Sequence, residues 1–208
     1  MITTEEEARA YVAGLTDDAG MARLEQFAAL VLEENSRQNL IAKATEPHIW
    51  QRHIADSAQL TQNVPRETFG ANAGGVWLDL GSGPGFPGLV IAALHPNMPL
   101  VLVESRARRI EFLQRAIDVL ALPKCRVEGQ RLERVPPFAA RAISARAFAP
   151  LPKLLELSAP FSTRATVYVL PKGRSAAQEL EGLKPSIRAM FHVKHSLTDP
   201  EAGIIVKV

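Results

Sequence analysis

Cysteine is nearly missing from this sequence: one residue, Cys125, among 208. A single thiol excludes an internal disulfide and any metal site built on paired cysteines. Aromatic residues make up only 6%, and no apolar stretch approaches the ~20 residues that span a bilayer. The opening residues, Met1-Ile2-Thr3-Thr4-Glu5-Glu6-Glu7, carry neither the basic nor the apolar segment of a secretory leader. Internal repeats and low-complexity tracts are absent too. These gaps point to a cytoplasmic protein without membrane association, and its 47% apolar content suffices for a packed core.

Net charge is only +2, but it is unevenly spread. Residues 1–75 hold 6 Lys/Arg against 11 Asp/Glu, and residues 76–208 hold 18 against 11. A basic C-terminal two-thirds is compatible with a nucleic-acid footprint and equally with solvated arginines.

The organisation changes near residue 70. Before it the pattern is helical: Thr4 and Glu7 form a capping-box pair, Ala22, Leu24, Phe27, Leu30 and Val31 recur at helical spacing, and a third helix is predicted from Pro47, with Ile49, Trp50, Ile54 and Ala58 on its stripe. Gly70-Ala71-Asn72-Ala73-Gly74-Gly75 breaks the pattern and sets the expected boundary, a helical extension over 1–70 and a second unit over 71–208. Beyond it, short apolar runs alternate with helical segments, which predicts a doubly wound, mostly parallel sheet. Strands are expected at 76–80, 100–104, 125–128, 142–146 and 165–170, helices at 88–94, 106–122 and 151–157. An antiparallel edge pair is expected around 190–193 and 203–208.

The most informative stretch is Leu78-Asp79-Leu80-Gly81-Ser82-Gly83-Pro84-Gly85-Phe86-Pro87-Gly88. Glycines between a strand and a helix allow a tight turn and close approach to a nucleotide-type cofactor. A dinucleotide fingerprint is met formally from Gly83, yet an acid at position 79, aimed at the ligand, would repel a pyrophosphate and favour an ammonium. Glu104, at the end of the next strand, is placed to accept hydrogen bonds from ribose hydroxyls. S-adenosylmethionine, with an ammonium, a sulfonium and no phosphate, suits this set. A P-loop fails because no Gly-Lys-Ser/Thr follows.

From Asn39 onward the chain resembles the RsmG methyltransferases, also called glucose-inhibited division protein B, which methylate N7 of a guanine in bacterial 16S rRNA. The resemblance rests on Asn39-Leu40, Arg52-His53-Ile54-Ala55-Asp56-Ser57, the loop from Asp79 to Gly88, Ser144-Ala145-Arg146-Ala147-Phe148 and Leu170-Pro171-Lys172-Gly173. It implies that Gly81 and Phe86 line the cofactor site, to which the loop itself adds Asp79, Gly83 and Gly85, that Glu104 holds the ribose, and that Leu132 and Glu133 border the adenine. Arg146 is implied as the catalytic residue, at the cofactor and substrate end of its strand.

Guanine N7 carries a lone pair and no proton, so its methylation requires positioning and no general base. The sequence lacks the Asn/Asp-Pro-Pro-Tyr block of amino methylation and the Pro-Cys pair of cytosine C5 methylation. Arg146 could grip the methionyl carboxylate or bridge to the base with its rigid fork. His53, with Asp56 and Ser57, reads more readily as a structural cluster than as a substrate contact. Arg108, Arg109, Lys172 and Arg174, together with Arg106 and Arg115, are candidates for tracking RNA phosphates, and Phe86 or Phe148 for stacking on a base. The expected partner is 16S rRNA or the small subunit, the expected form a monomer. Two rivals stand beside this reading: a small-molecule methyltransferase of the same fold, and a non-catalytic nucleotide- or ribosome-binding module.

Overall fold

The computed structural model describes residues 1–69 and 75–207. The expected boundary over 70–75 therefore lies outside the described residues except at Gly75. Seven strands form one sheet: β1 Val76–Leu80, β2 Leu100–Val103, β3 Cys125–Glu128, β4 Ala140–Ala145, β5 Val167–Gly173, β6 His192–His195 and β7 Gly203–Lys207. Their order is β3-β2-β1-β4-β5-β7-β6, with the first five parallel and β7 antiparallel to both neighbours. The expected doubly wound sheet with an antiparallel edge is what the chain adopts. Strand order reverses between β1 and β4, the place where such sheets open a crevice at their carboxyl ends.

Two-residue alternation along the strands sorts the core into two layers. Trp77, Leu102, Ala142, Val169 and Val206 face the layer that holds the N-terminal helices, while Leu78, Leu80, Val103, Ile143 and Ile205 face the opposite one. Each large side chain buried there contributes about 1.5–3 kcal/mol. The first layer is covered by α2 Asp18–Gln38, α4 Gly88–Leu94 and α5 Ala107–Val119, and the second by α6 Leu151–Ser158 and α7 Ala176–Glu181.

Helix α1, Glu5–Ala13, starts with the capping box of Thr4 and Glu7 read from the sequence. The helix expected from Pro47 is not regular. It is a relay of a 3-10 stretch Lys43–His48, a π turn Trp50–Ala55, one α turn α3 Asp56–Ala58 and a second 3-10 stretch Gln59–Asn63. The cause is tertiary: Glu5 of α1 takes the backbone N–H groups of Trp50 and Gln51 at 3.0 and 2.8 Å, a cap invisible to local pattern. Among the described residues, no helix is long and apolar enough to cross a membrane.

Candidate active site

The carboxyl ends of β3, β2, β1 and β4 line a cleft of about 530 Å³ that includes Gly81, Gly83, Glu104, Gln130, Leu132 and Arg146. Next to it, a second cleft of about 740 Å³ lies between the ends of β4 and β5, against Pro171, Lys172, Gly173 and Glu179. The two share the segment Arg146-Ala147-Phe148-Ala149, so one loop is the wall between them. Ala147 holds a left-handed φ of 53°, a conformation that costs roughly 1–2 kcal/mol without glycine.

The glycine loop is positioned by its own strain-free turns. Gly81, with φ 65°, leaves room for the Phe148 ring, whose Cδ2 would lie 2.6 Å from any Cβ there. The Gly83 N–H donates to Glu104 Oε2 at 3.0 Å, tying loop to strand end. Glu104 Oε1 accepts from the N–H groups of Ser105 and Arg106 at 2.7 and 2.9 Å, which caps the entry to α5. Oε1 is filled by its two backbone donors, whereas Oε2 keeps one lone-pair site, and Glu104 lines the cleft, so capping leaves room for one ribose hydroxyl. Leu132 and the exposed Glu133 lie on the wall beyond β3.

Three residues expected at the cofactor lie elsewhere. Asp79 is fully buried and does not reach the cleft. Strand alternation sends it to the same face as Trp77, where Ser144 Oγ donates to its Oδ1 at 2.6 Å and in turn accepts the Trp77 indole N–H at 2.9 Å. A Cβ at Gly88 would meet Asp79 Oδ2 at 2.7 Å, so this acid sits under the amino end of α4. Burial pushes its carboxyl up to about 6, against the hydrogen bond from Ser144. Phe86 is only 2% exposed, packed between Phe27 and His53 with ring centroids 5.0 Å from each, and cannot stack on a base. Gly85 serves packing, since a Cβ there would strike Leu89 and Phe27. Half-buried Phe148 is the aromatic that lines both clefts.

The expected RNA contacts divide. Lys172 is committed internally: its Nζ donates to the Ala149 carbonyl at 2.8 Å and pairs with Glu179 at 3.0 Å, and its side chain is 8% exposed. Arg109 clamps the end of α2 through the Asn39 carbonyl at 2.9 Å. Arg115 pairs with buried Glu34 at 2.6 Å, and Arg174 pairs with Glu201 in the open. Arg108 is exposed, as are Arg106 and Arg131 on the rim of the first cleft.

Behind Arg146 stands a group the sequence left as a local cluster. Arg146 Nη1 donates to His53 Nδ1 at 3.2 Å, and Asp56 Oδ2 lies 3.9 Å away. Burial, then Arg146 and Arg52, push the His53 imidazole down to about 3, so it is neutral.

The cradle fits a nucleoside-type cofactor that lacks phosphate. Bare backbone at Gly81 and Gly83, the Glu104 carboxylate and apolar Leu132 all face the cleft. The amino end of α4, which would hold a pyrophosphate, is already turned toward Asp79.

Residues 20–201 match the model of the GidB family, rRNA small subunit methyltransferase G. A ribosomal RNA small subunit methyltransferase G of Erythrobacter litoralis is 56% identical over 99% of this chain and 97% of its own length. That of Novosphingobium aromaticivorans is 55% identical over 99% of this chain and 88% of its own. Among solved structures, a SAM dependent methyltransferase from Aquifex aeolicus superposes with a TM-score of 0.55 at 13% identity, covering 80% of this chain and 96% of that one.

Proposed function

Because the chain belongs to the GidB family, rRNA small subunit methyltransferase G, we propose that it transfers the methyl group of S-adenosylmethionine to N7 of one guanine in 16S rRNA, as a cytoplasmic monomer. The observation that carries this reading is the pair of adjoining clefts sharing Arg146 and Phe148, one shaped for a nucleoside and one open for an acceptor.

S-adenosylmethionine, when bound, supplies an electrophilic methyl on a sulfonium. Glu104 holds one ribose hydroxyl, Leu132 and Glu133 border the adenine, and the backbone of Gly81 and Gly83 accommodates the chain toward sulfur. Arg146 stays charged and directs its fork to the seam between donor and acceptor. Phe148 offers the base a stacking face. The acid lining the acceptor cleft, Glu179, is already engaged by Lys172 and by the Leu151 N–H at 2.8 Å, which suits an acceptor atom with no proton to lose. Exposed Arg106 and Arg131 at the rim, together with exposed Arg108, are available to phosphates. Residues 1–70 are read as a helical extension and 71–208 as the catalytic segment, sharing one apolar layer through Phe27, Trp50 and Trp77.

The test is transfer of labelled methyl from S-adenosylmethionine to small-subunit rRNA from cells lacking the enzyme, with N7-methylguanine mapped by borohydride and aniline cleavage. Label at one guanine is expected. Cofactor binding without label on naked rRNA or on particles would overturn the rRNA reading and favour a binding module or a small-molecule acceptor.

A further inference from the structure

Arg146 reaches the seam of the two clefts while its other edge is gripped from behind. The grip comes from the irregular N-terminal relay, not from the sheet that carries the arginine. His53 Nδ1 accepts from Arg146 Nη1 at 3.2 Å. The guanidinium carbon lies 5.1 Å from the centroid of Phe86, on which the His53 ring also stacks at 5.0 Å and 28°. Asp56, whose Oδ2 is 3.9 Å from Arg146, is itself held by the hydroxyl of Thr198 at 2.8 Å and the amide of Gln59 at 2.9 Å.

We propose that His53 is a positioning residue for methyl transfer: its Nδ1 fixes one edge of the Arg146 guanidinium so that the remaining N–H groups face the seam. This rests on the proposed function, since it assigns Arg146 to the reacting groups. An imidazole nitrogen facing a guanidinium N–H must be the acceptor, which puts the ring proton on Nε2. Nε2 lies 2.8 Å from the Thr45 hydroxyl, which gives its own proton to the Ala42 carbonyl at 2.8 Å and so accepts from Nε2–H, in keeping with this tautomer. Burial first, and then the charges of Arg146 and Arg52, disfavour protonation of the ring, so the acceptor persists at neutral pH. His53 lies within the π turn Trp50–Ala55, whose first N–H groups are capped by Glu5, so the ring is delivered by a segment anchored to α1. Inert packing would need the ring and not an acceptor aimed at the arginine.

The experiment compares His53→Phe, which keeps a ring on Phe86, with His53→Asn, which restores an acceptor near Nδ1. Single-turnover transfer and S-adenosylhomocysteine binding are measured for each, in the wild-type and Arg146→Lys backgrounds. The Phe variant is expected to lose about 30-fold in kcat, the scale of a small misplacement, while S-adenosylhomocysteine affinity changes less than about threefold. His53→Asn should recover most of the rate. In the Arg146→Lys background, which lacks the fork, the loss on His53→Phe should shrink below about threefold. Equal losses in both backgrounds, an Asn variant as slow as the Phe variant, or an unchanged kcat would overturn the proposal. If His53→Phe does not fold, Thr45→Val frees Nε2 and should lower kcat about threefold at native Tm, and an unchanged kcat would overturn the assignment. A wild-type protein that transfers no methyl group refutes the proposed function instead, which keeps the two failures apart.

Discussion

The two clefts differ in what they are made of. The donor side, from β3 to β1, presents backbone and two carboxylates: Gly81, Gly83, exposed Glu133 and a Glu104 that is already part of a helix cap. On the acceptor side, between β4 and β5, side chains hold one another, Arg146 with His53 and Asp56, Lys172 with Glu179. The lesson is that damage should propagate differently. On the donor side an added atom is the harm, whereas on the acceptor side a removed partner is.

The sharpest test of that contrast is Gly81→Ala. Its Cβ would collide with Phe148 in a left-handed backbone position, so S-adenosylhomocysteine affinity should fall at least ~100-fold by calorimetry, with roughly 1–2 kcal/mol lost in stability. Retained affinity would erase the steric account of the donor side. Next in size, Glu104→Gln should weaken cofactor binding about 10-fold, because an amide nitrogen replaces one oxygen among three backbone N–H donors.

A smaller effect is expected beneath the donor floor. Burial raises Asp79 from 3.8 to about 6 in the folded protein, so the stability linked to it is complete below about pH 3.8 and is lost as pH rises through 6. Asp79→Asn should therefore gain ~1–2 kcal/mol relative to wild type on going from about pH 4 to pH 7, read by urea unfolding. His53 at about 3 and His95 at about 4, both half-buried and neutral at pH 7, act with the opposite sign, and their contribution is lost as pH falls below 6.5. A constant difference between variant and wild type across this range would refute the burial of Asp79's charge. Smallest of all, Arg108→Ala should reduce the slope of log affinity for rRNA against log salt by about 1, while Lys172→Met lowers Tm and leaves that slope unchanged. The reverse result would make Lys172 a phosphate ligand.

Much of the sheet was legible because apolar runs and glycines punctuate it: β1, α4 and β3 fall on the expected residues. The position of Glu104 beside the glycine loop and on the cleft was legible from its register with the loop. Asp79's inward direction was also legible, since it shares parity with Trp77 along β1, although the loop motif suggested a ligand contact. The engagement of Lys172 was not, because Glu179 and the Ala149 carbonyl reach it only through folding. Nor was the relay after Pro47, whose shape depends on Glu5 of a different helix, and with it the link from His53 to Arg146 across 93 residues.

The place of β7 sets an order of events. It lies between β5 and β6, yet it is made after both. As the chain emerges, β6 has no partner in the sheet until Gly203–Lys207 arrives to join it, and β5 keeps an open edge. Ile2, whose N–H donates to the Leu197 carbonyl at 2.7 Å, and Asp56, which waits for Thr198, are in the same position. The helical segment is synthesised first, yet part of its anchoring, Ile2 on Leu197 and Asp56 on Thr198, is completed only when the segment before β7 has been made.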